Sequence, residues 1–407
     1  MGRPLRKLLW VVAGLAVAGG LLAAVPYLFP LSSFVPEVAR IASEKLGQPV
    51  TIGELSLHLL PTPRVVAKGI VVGRKSDVRV GSVEIVPELM PLLAAEKKVD
   101  TIRAEDIELK ESALAIPGAM PKGGGGSALA VRRIVLKHVV LHHSKYQIPP
   151  LDLDARLGEG LALERALLEA KGAALNIRLA PQGEKSTQVG VDGKLYGGTV
   201  KADARAQWAK LWQVSGKAQV AGVDVVPLQR LLGKKPQISG RLKSEATFSA
   251  RAAKPELLAD ALALDGPFEL LGGAYQGVDL TKAADITGKS GVGDVTAFEE
   301  FKGRLQLRGK RVHITELCVR SPKVVAGGEV QIAPDQALSG KLDVSIAKTG
   351  GFAGVPVALG GTTSAPSIRP TKGYIIGAAV GTILLPGIGT GIGASAAGRL
   401  EGSSSCK

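Results

Sequence analysis

The feature that most limits this chain is a two-residue rhythm. "GRLQLRG" puts Leu305 and Leu307 on one side and Arg304, Gln306 and Arg308 on the other. "GEVQIA" and "GKLDVSI" do the same with Val330, Ile332, Leu342, Val344 and Ile346, and "RVHITEL" places Val312, Ile314 and Leu317 with one slip in the alternation. "DVRVGSVEIVP" and "TIRAEDIELK" carry the same rhythm earlier in the chain. Successive side chains of a strand point to opposite faces, so this pattern predicts strands with one apolar and one wet face. A weak repeat accompanies it. Gly followed by Lys or Arg recurs at "DGKLYGG", "SGKAQV", "SGRLKSE", "KGRLQL" and "SGKLDV", read as turn glycines that feed the next strand of a meander. Helical punctuation is sparse: "PLQRLLG" from Pro227 to Gly233 and "LERALLEAKG" from Leu163 to Gly172 are the candidates.

Two mainly β architectures fit. One is an antiparallel sheet packed on a second sheet. The other is an elongated, curved antiparallel sheet with a few short helices, its apolar face left open as a groove. Alternation does not separate them. Apolar residues make up 45% of the chain but aromatic ones only 4%. A sandwich core leans on a few large rings, whereas a surface that accommodates flexible chains need not, so the shortage favours the groove.

The two ends carry long uncharged runs. Arg3, Arg6 and Lys7 precede an uncharged stretch from Leu8 to Pro30, with Trp10 and Tyr27 near its ends. About 20 apolar residues cross a bilayer core, and a basic leading flank keeps the N-terminus cytoplasmic. A cleaved signal peptide is the rival, but its apolar region runs to about 7–15 residues. Residues 1–31 are therefore expected to form an N-terminal transmembrane helix that exports the remainder. Ser32 and Ser33 then read as caps of a short helix, "FVPEVARIASEKLG", that stops at Gly47. "GGGGS" from Gly123 to Ser127 is a flexible break, taken as a long loop between β regions at 32–122 and 128–369.

Residues 370–407 form a glycine-rich apolar tail. Tyr374 to Ala397 is long enough to span a bilayer, but Pro386 splits it and Gly387, Gly389, Gly391 and Gly393 weaken its second half as a helix. Gly377 and Gly381 have the GxxxG spacing that allows close helix packing in membranes. Two readings stand: a cap on the end of the sheet, or a dipping hairpin that sets Ile375, Ile376, Gly377, Gly381, Ile383 and Leu384 against lipid.

The net charge of +15 suits a solvated basic surface or anionic lipid. Nucleic acid is disfavoured, because Lys and Arg are scattered and lack ring partners for stacking. Cys318 and Cys406 either pair in an oxidising compartment or stand as unrelated thiols. No catalytic, metal or cofactor site emerges. The histidines His58, His138, His142, His143 and His313 form no HExxH, and adjacent His142 and His143 on a strand would face opposite ways. "AADITGKS" has Ala283 where a phosphate loop needs its first glycine, "GIGTGIG" lacks the GxGxxG pattern, and no GxSxG elbow occurs. Glu299 and Glu300 read as ordinary surface carboxylates.

An ordered set of segments resembles the AsmA family of bacterial envelope proteins. At the front stand "GQPVTIGELSLHLLPTPRVVAKGIVVG" and "VGSVEIVPELMPLLAAEKKVDTIRAEDIELKESAL". Further on come "DVVPLQRLLGKKPQISGRLKSEATFSARAAKPELLADALALDGPFELLGGAYQGVDL", "TAFEEFKGRLQLRGKRVHITELCVRSPKVVAGGEVQIA" and "GVPVALGGTTSAPSIRP". That family is similar in architecture to chorein-type bridge proteins, which carry lipids along an apolar β-groove. The resemblance implies a single-pass inner-membrane protein with its bulk in the periplasm. Its partners would be phospholipid, the inner membrane, and the outer membrane or envelope proteins, and its role lipid homeostasis and outer-membrane biogenesis without an enzymatic step or cofactor. The lipid-lining residues would then be Leu305, Leu307, Ile314, Val330, Ile332, Leu342, Val344 and Ile346. The alternative is a non-enzymatic assembly factor that influences outer-membrane protein insertion without carrying lipid.

Overall fold

The structure, a computed structural model, describes residues 31–88, 97–111, 129–144, 146–158, 162–277, 280, 294–346, 355–372 and 406. The expected anchor in residues 1–30, the "GGGGS" break and the apolar tail from Tyr374 to Ala397 lie outside the described residues. Among the described residues no helix is long and apolar enough to cross a membrane. The fold is mainly β. It divides into two compact units, Met1–Ile177 and Arg178–Lys407.

The first unit opens with a 3-10 turn, Leu31–Phe34, and helix α1, Val35–Leu46. Gly47 ends the helix in the left-handed conformation, φ 64°, as expected. The serines are not its caps: they lie in the 3-10 turn, and Phe34 occupies the cap position without a side-chain bond. Pro36 in the first turn removes one N–H that would otherwise need a partner.

Strand β1 (Val50–Thr51) pairs antiparallel with β3 (Arg64–Val72), and β2 (Glu54–His58), β3, β4 (Val78–Pro87) and β5 (Lys97–Lys110) pair antiparallel in chain order. β5 then pairs parallel with β6 (Leu129–His142), an exception to the antiparallel sheet expected from the sequence. Parallel neighbours need a crossover rather than a tight hairpin, which is why a long connection falls here. β7 (Leu151–Leu157) and β8 (Leu163–Ala170) follow antiparallel, and β9 (Ala173–Pro181) comes next in the chain. β8 corrects the helix expected at "LERALLEAKG". Its Leu, Ala and Glu favour a helix locally, but Leu153↔Leu168 and Ala155↔Ala166 pair with β7, and Ala166 is 2% exposed. Tertiary pairing overrides a weak local preference.

The alternation slips at one level in four adjacent strands: Ala67-Lys68-Gly69-Ile70, Val80-Gly81-Ser82-Val83, Ala104-Glu105-Asp106-Ile107 and Leu136-Lys137-His138-Val139. Pairing resumes in step on both sides of each slip. Gly69, Asp106 and His138 adopt left-handed backbone there, φ 63°, 54° and 53°. One added residue per strand keeps every apolar set on one face while the strands bend. At the end of this row Asp152 of β7 accepts 2.8 Å bonds from the His138 backbone N–H and from Lys137 Nζ. Its carboxyl is held below the usual range, first by the Lys137 hydrogen bond and then by the His138 amide.

The second unit runs as an antiparallel meander. Its strands are β10 (Ser186–Leu195), β11 (Gly198–Trp208), β12 (Trp212–Asp224), β13 (Arg241–Ala252), β14 (Ala263–Gln276) and β15 (Val295–Arg308). β16 (Arg311–Arg320), β17 (Val324–Ile332), β18 (Leu338–Ile346), β19 (Val355–Gly361) and β20 (Pro366–Pro370) complete it. Each pairs with the next. The slip in "RVHITEL" is a bulge between Ile314 and Leu317, with Glu316 at φ 52°. Helix α2, Val225–Leu231, forms near the expected Pro227–Gly233. Asp224 caps it, accepting from the Val226 N–H at 2.9 Å.

Four of the five "turn" glycines sit elsewhere than expected. Gly193, Gly216, Gly303 and Gly340 lie inside strands, and only Gly240 precedes one. A Cβ at Gly216 would meet the Asp203 carbonyl oxygen at 2.3 Å, and at Gly340 the Glu329 carbonyl at 2.5 Å. Glycine is needed there because neighbouring backbone approaches too closely for any side chain.

Candidate functional site: an apolar face, open at one end and closed at the other

Paired residues on adjacent strands share a face, so the registers of β10 to β20 define one continuous surface. Val191↔Ala202↔Ala218↔Ala246 crosses its first strands. Leu264↔Leu307↔Val312↔Ile332↔Leu338 crosses its later ones. No charged side chain lies on this face within the ladder. The opposite face holds the ions, paired across strands: Arg178–Asp192 at 2.7 Å, Arg304–Asp265 at 2.8 Å and Arg320–Glu300 at 3.3 Å. Period two alone would only require an apolar face on each strand. The bulges, with Gly222 at φ 70° and Gly272 at φ 58°, keep all of them on the same side.

Burial divides this surface into two regions. On β10 to β12 the apolar residues of this face are half-buried, except Val223 at the end of β12, which is 0% exposed. On β11, for instance, Val200, Ala202, Ala204 and Ala206 are half-buried between exposed Lys201, Asp203, Arg205 and Gln207. The residues are small, and nothing in the unit covers them completely. Trp208 and Trp212 stack at the hairpin edge of this floor, ring centroids 5.9 Å apart.

From β14 onward the same face curls over a core. Val357, Val344, Ala326 and Ile368 are 0%, 1%, 1% and 2% exposed. Phe268, Phe298 and Phe301 cluster there with centroid separations of 5.4 and 5.6 Å. This core borders a cavity of about 280 Å³, partly open to solvent and lined among others by Ile314, Leu317, Val330, Ile332, Leu342, Leu359 and Tyr275. Helix α2 helps close it. Gln229 Nε2 donates to the carbonyls of Val225 and Ile238, at 3.1 and 2.6 Å, and its Oε1 accepts from the Gln237 N–H at 2.9 Å. Burial holds the Tyr275 hydroxyl pKa above its ordinary value, so at neutral pH it is a donor.

The residues singled out in the sequence are brought to one face but not to one environment. Ile314, Val330, Ile332 and Leu342 line the cavity. Val344 is packed in the core beside them. Leu305 and Leu307 are half-buried on β15, and Ile346 ends β18. The strand pattern did not point to the Ala-rich floor of β11 and β12; its signal was the run of small residues at alternate positions. The tail residues Ile375, Ile376, Gly377, Gly381, Ile383 and Leu384 lie outside the described residues.

Comparison with protein-family models, with curated proteins and with solved structures finds no match. The site is therefore read on its own geometry. Among the described residues no group of three or more His, Cys, Asp and Glu is arranged to hold a metal. His142 is exposed at the end of β6, whereas His143 packs on Tyr146 at 4.7 Å and lies 3.5 Å from Glu111. His138 Nδ1 meets Asp106 Oδ1 at 2.9 Å, both well exposed.

Cys318 and Cys406 form a disulfide, resolving the alternatives left open by the sequence. It ties the end of the chain to β16, on the face opposite the apolar one. Cys318 is 1% exposed.

Proposed function

We propose that this protein binds or conducts phospholipid along the open apolar face of β10 to β12, as a non-enzymatic component of the bacterial envelope. The observation that carries the reading is the half-buried, charge-free floor of β10 to β12, bordered by charged side chains turned the other way. Acyl chains laid on it leave water, gaining about 0.8 kcal/mol per buried CH₂, while headgroups remain at the solvated rim. The resemblance to the AsmA family supports the same reading. The disulfide favours an oxidising compartment such as the periplasm. The basic-flanked uncharged run at the N-terminus supplies an inner-membrane anchor in this scheme. Transfer along the groove is sliding, with no bond made or broken.

Photo-crosslinkers placed in cells at Ala204 and Ala218, on the floor, should capture phospholipid. The same groups at Arg205 and Lys217, on the opposite face, should not. Equal labelling of both pairs, or none at either, refutes the groove.

A further inference from the structure

We propose that the closed end of the sheet is a separate pocket for one aliphatic chain, distinct from the open floor on which diacyl lipid lies. This rests on the lipid-groove reading and adds a second site to it. The cavity of about 280 Å³ is larger than an engineered apolar cavity of about 150 Å³ that takes up benzene. Its walls are Phe298, Phe301, Ile314, Leu317, Val330 and Ile332, with others of the same kind.

Most polar groups of the lining are already engaged within the protein. Gln229 uses both ends of its amide on the Val225–Ile238 backbone. Thr296 Oγ1 accepts from the Leu280 N–H at 3.1 Å, and Thr363 Oγ1 donates to Gln336 Oε1 at 3.2 Å. Such a lining accepts methylenes, and a charged end is tolerated only where solvent still reaches, as at the half-buried Tyr275. The Tyr275 hydroxyl differs: it has no hydrogen-bond partner among the described residues. A ligand carboxyl or ester oxygen can accept from it, which orients the chain with its polar end at Tyr275. The class is thus a single alkyl chain with an oxygen acceptor at one end, either a free fatty acid or one chain of a lipid from the groove.

Titration calorimetry of the full chain with dodecanoate, below its micellar concentration, tests this. Ile332→Phe and, separately, Leu359→Phe fill the cavity from two sides. Each should weaken dodecanoate binding about tenfold or more while thermal unfolding shows the variant folded. Tyr275→Phe should weaken it about tenfold, the loss of one hydrogen bond to a charged acceptor. Phospholipid crosslinking at Ala204 should persist in all three. Lipid extracted from the purified chain then assigns the source: the filled variants lose either fatty acid or phospholipid relative to the parent. Unchanged dodecanoate affinity in both folded filled variants, no binding to the parent chain, or loss of neither lipid overturns the pocket. Persistent crosslinking at Ala204 would leave the groove reading standing in that event, whereas loss of crosslinking in the unaltered chain refutes the groove itself.

Discussion

The floor of β10 to β12 and the end formed by β16 to β20 are made from the same alternation and the same face, yet one stays half-open and the other folds over a packed core. Side-chain size separates them. The floor carries Ala202, Ala204, Ala206, Gly216 and Ala218, too small to reach across to anything. The closed end carries Leu317, Val319, Leu338, Leu342 and Ile368 beside three phenylalanines, large enough to interdigitate when the sheet curls. Three of the rings on this face, Phe268, Phe298 and Phe301, lie in that core, while Trp208 and Trp212 stack at the hairpin edge of the floor.

The sharpest way to break this comparison is to place one carboxylate in each region. Val344→Asp buries an unpaired charge at a site 1% exposed and should cost about 4 kcal/mol or more, or prevent folding of the second unit. Ala204→Asp, on the half-exposed floor, should cost about 1 kcal/mol or less while abolishing phospholipid crosslinking beside it. Chemical denaturation of both variants checks this, and equal losses would mean the floor is a packed core.

Next in size is the disulfide. It joins residues 88 apart in sequence, and closing a loop of that length limits the unfolded chain. Cys318→Ser combined with Cys406→Ser should therefore destabilise the second unit by about 2–4 kcal/mol. Calorimetric scans with and without reductant should lower the transition of this unit and leave that of Met1–Ile177 in place.

A gentler test enlarges one small residue in each region. Ala326→Leu, at a position 1% exposed, should cost about 1–3 kcal/mol by overpacking. Ala204→Leu should lie within about 0.5 kcal/mol of the parent, because a half-open face has room for the added atoms. Reversal of that order in urea titrations would exchange the two descriptions.

The smallest effect concerns acid response. Burial raises the Asp343 carboxyl pKa on the closed end. Its native form holds the proton more tightly than the unfolded chain does, so its contribution favours the fold at low pH and declines as pH rises through the native pKa. Asp343→Asn should therefore raise the melting temperature slightly at pH 7, with the gain vanishing below the ordinary aspartate range. Asp154 in the first unit behaves oppositely: the Arg133 hydrogen bond lowers its pKa, and its contribution is present at neutral pH and lost as acid protonates it. Melting curves of Asp343→Asn and Asp154→Asn across pH should diverge in these directions.

Much of the fold was legible because strand chemistry is local and periodic. Leu305 and Leu307, Val330 and Ile332, and Leu342 and Val344 do share one face, as the alternation requires. The slips inside "DVRVGSVEIVP" and "TIRAEDIELK", segments read as regular alternation, emerged only from the strand registers. The helix expected at Pro227–Gly233 was readable from one short stretch, although it begins two residues earlier, at Val225, where Asp224 caps it. What tertiary structure alone decided depends on contacts between distant residues. "LERALLEA" became a strand because β7 offered a ladder to pair with. β5 and β6 came together in parallel across a long connection. Gly216 and Gly340 proved to relieve close strand approaches inside the sheet, which no single strand records. Cys318 found Cys406, and Ile314, Val330 and Ile332 came to line a cavity while Leu305 and Leu307 did not, because curling of the sheet depends on the summed size of side chains from many strands.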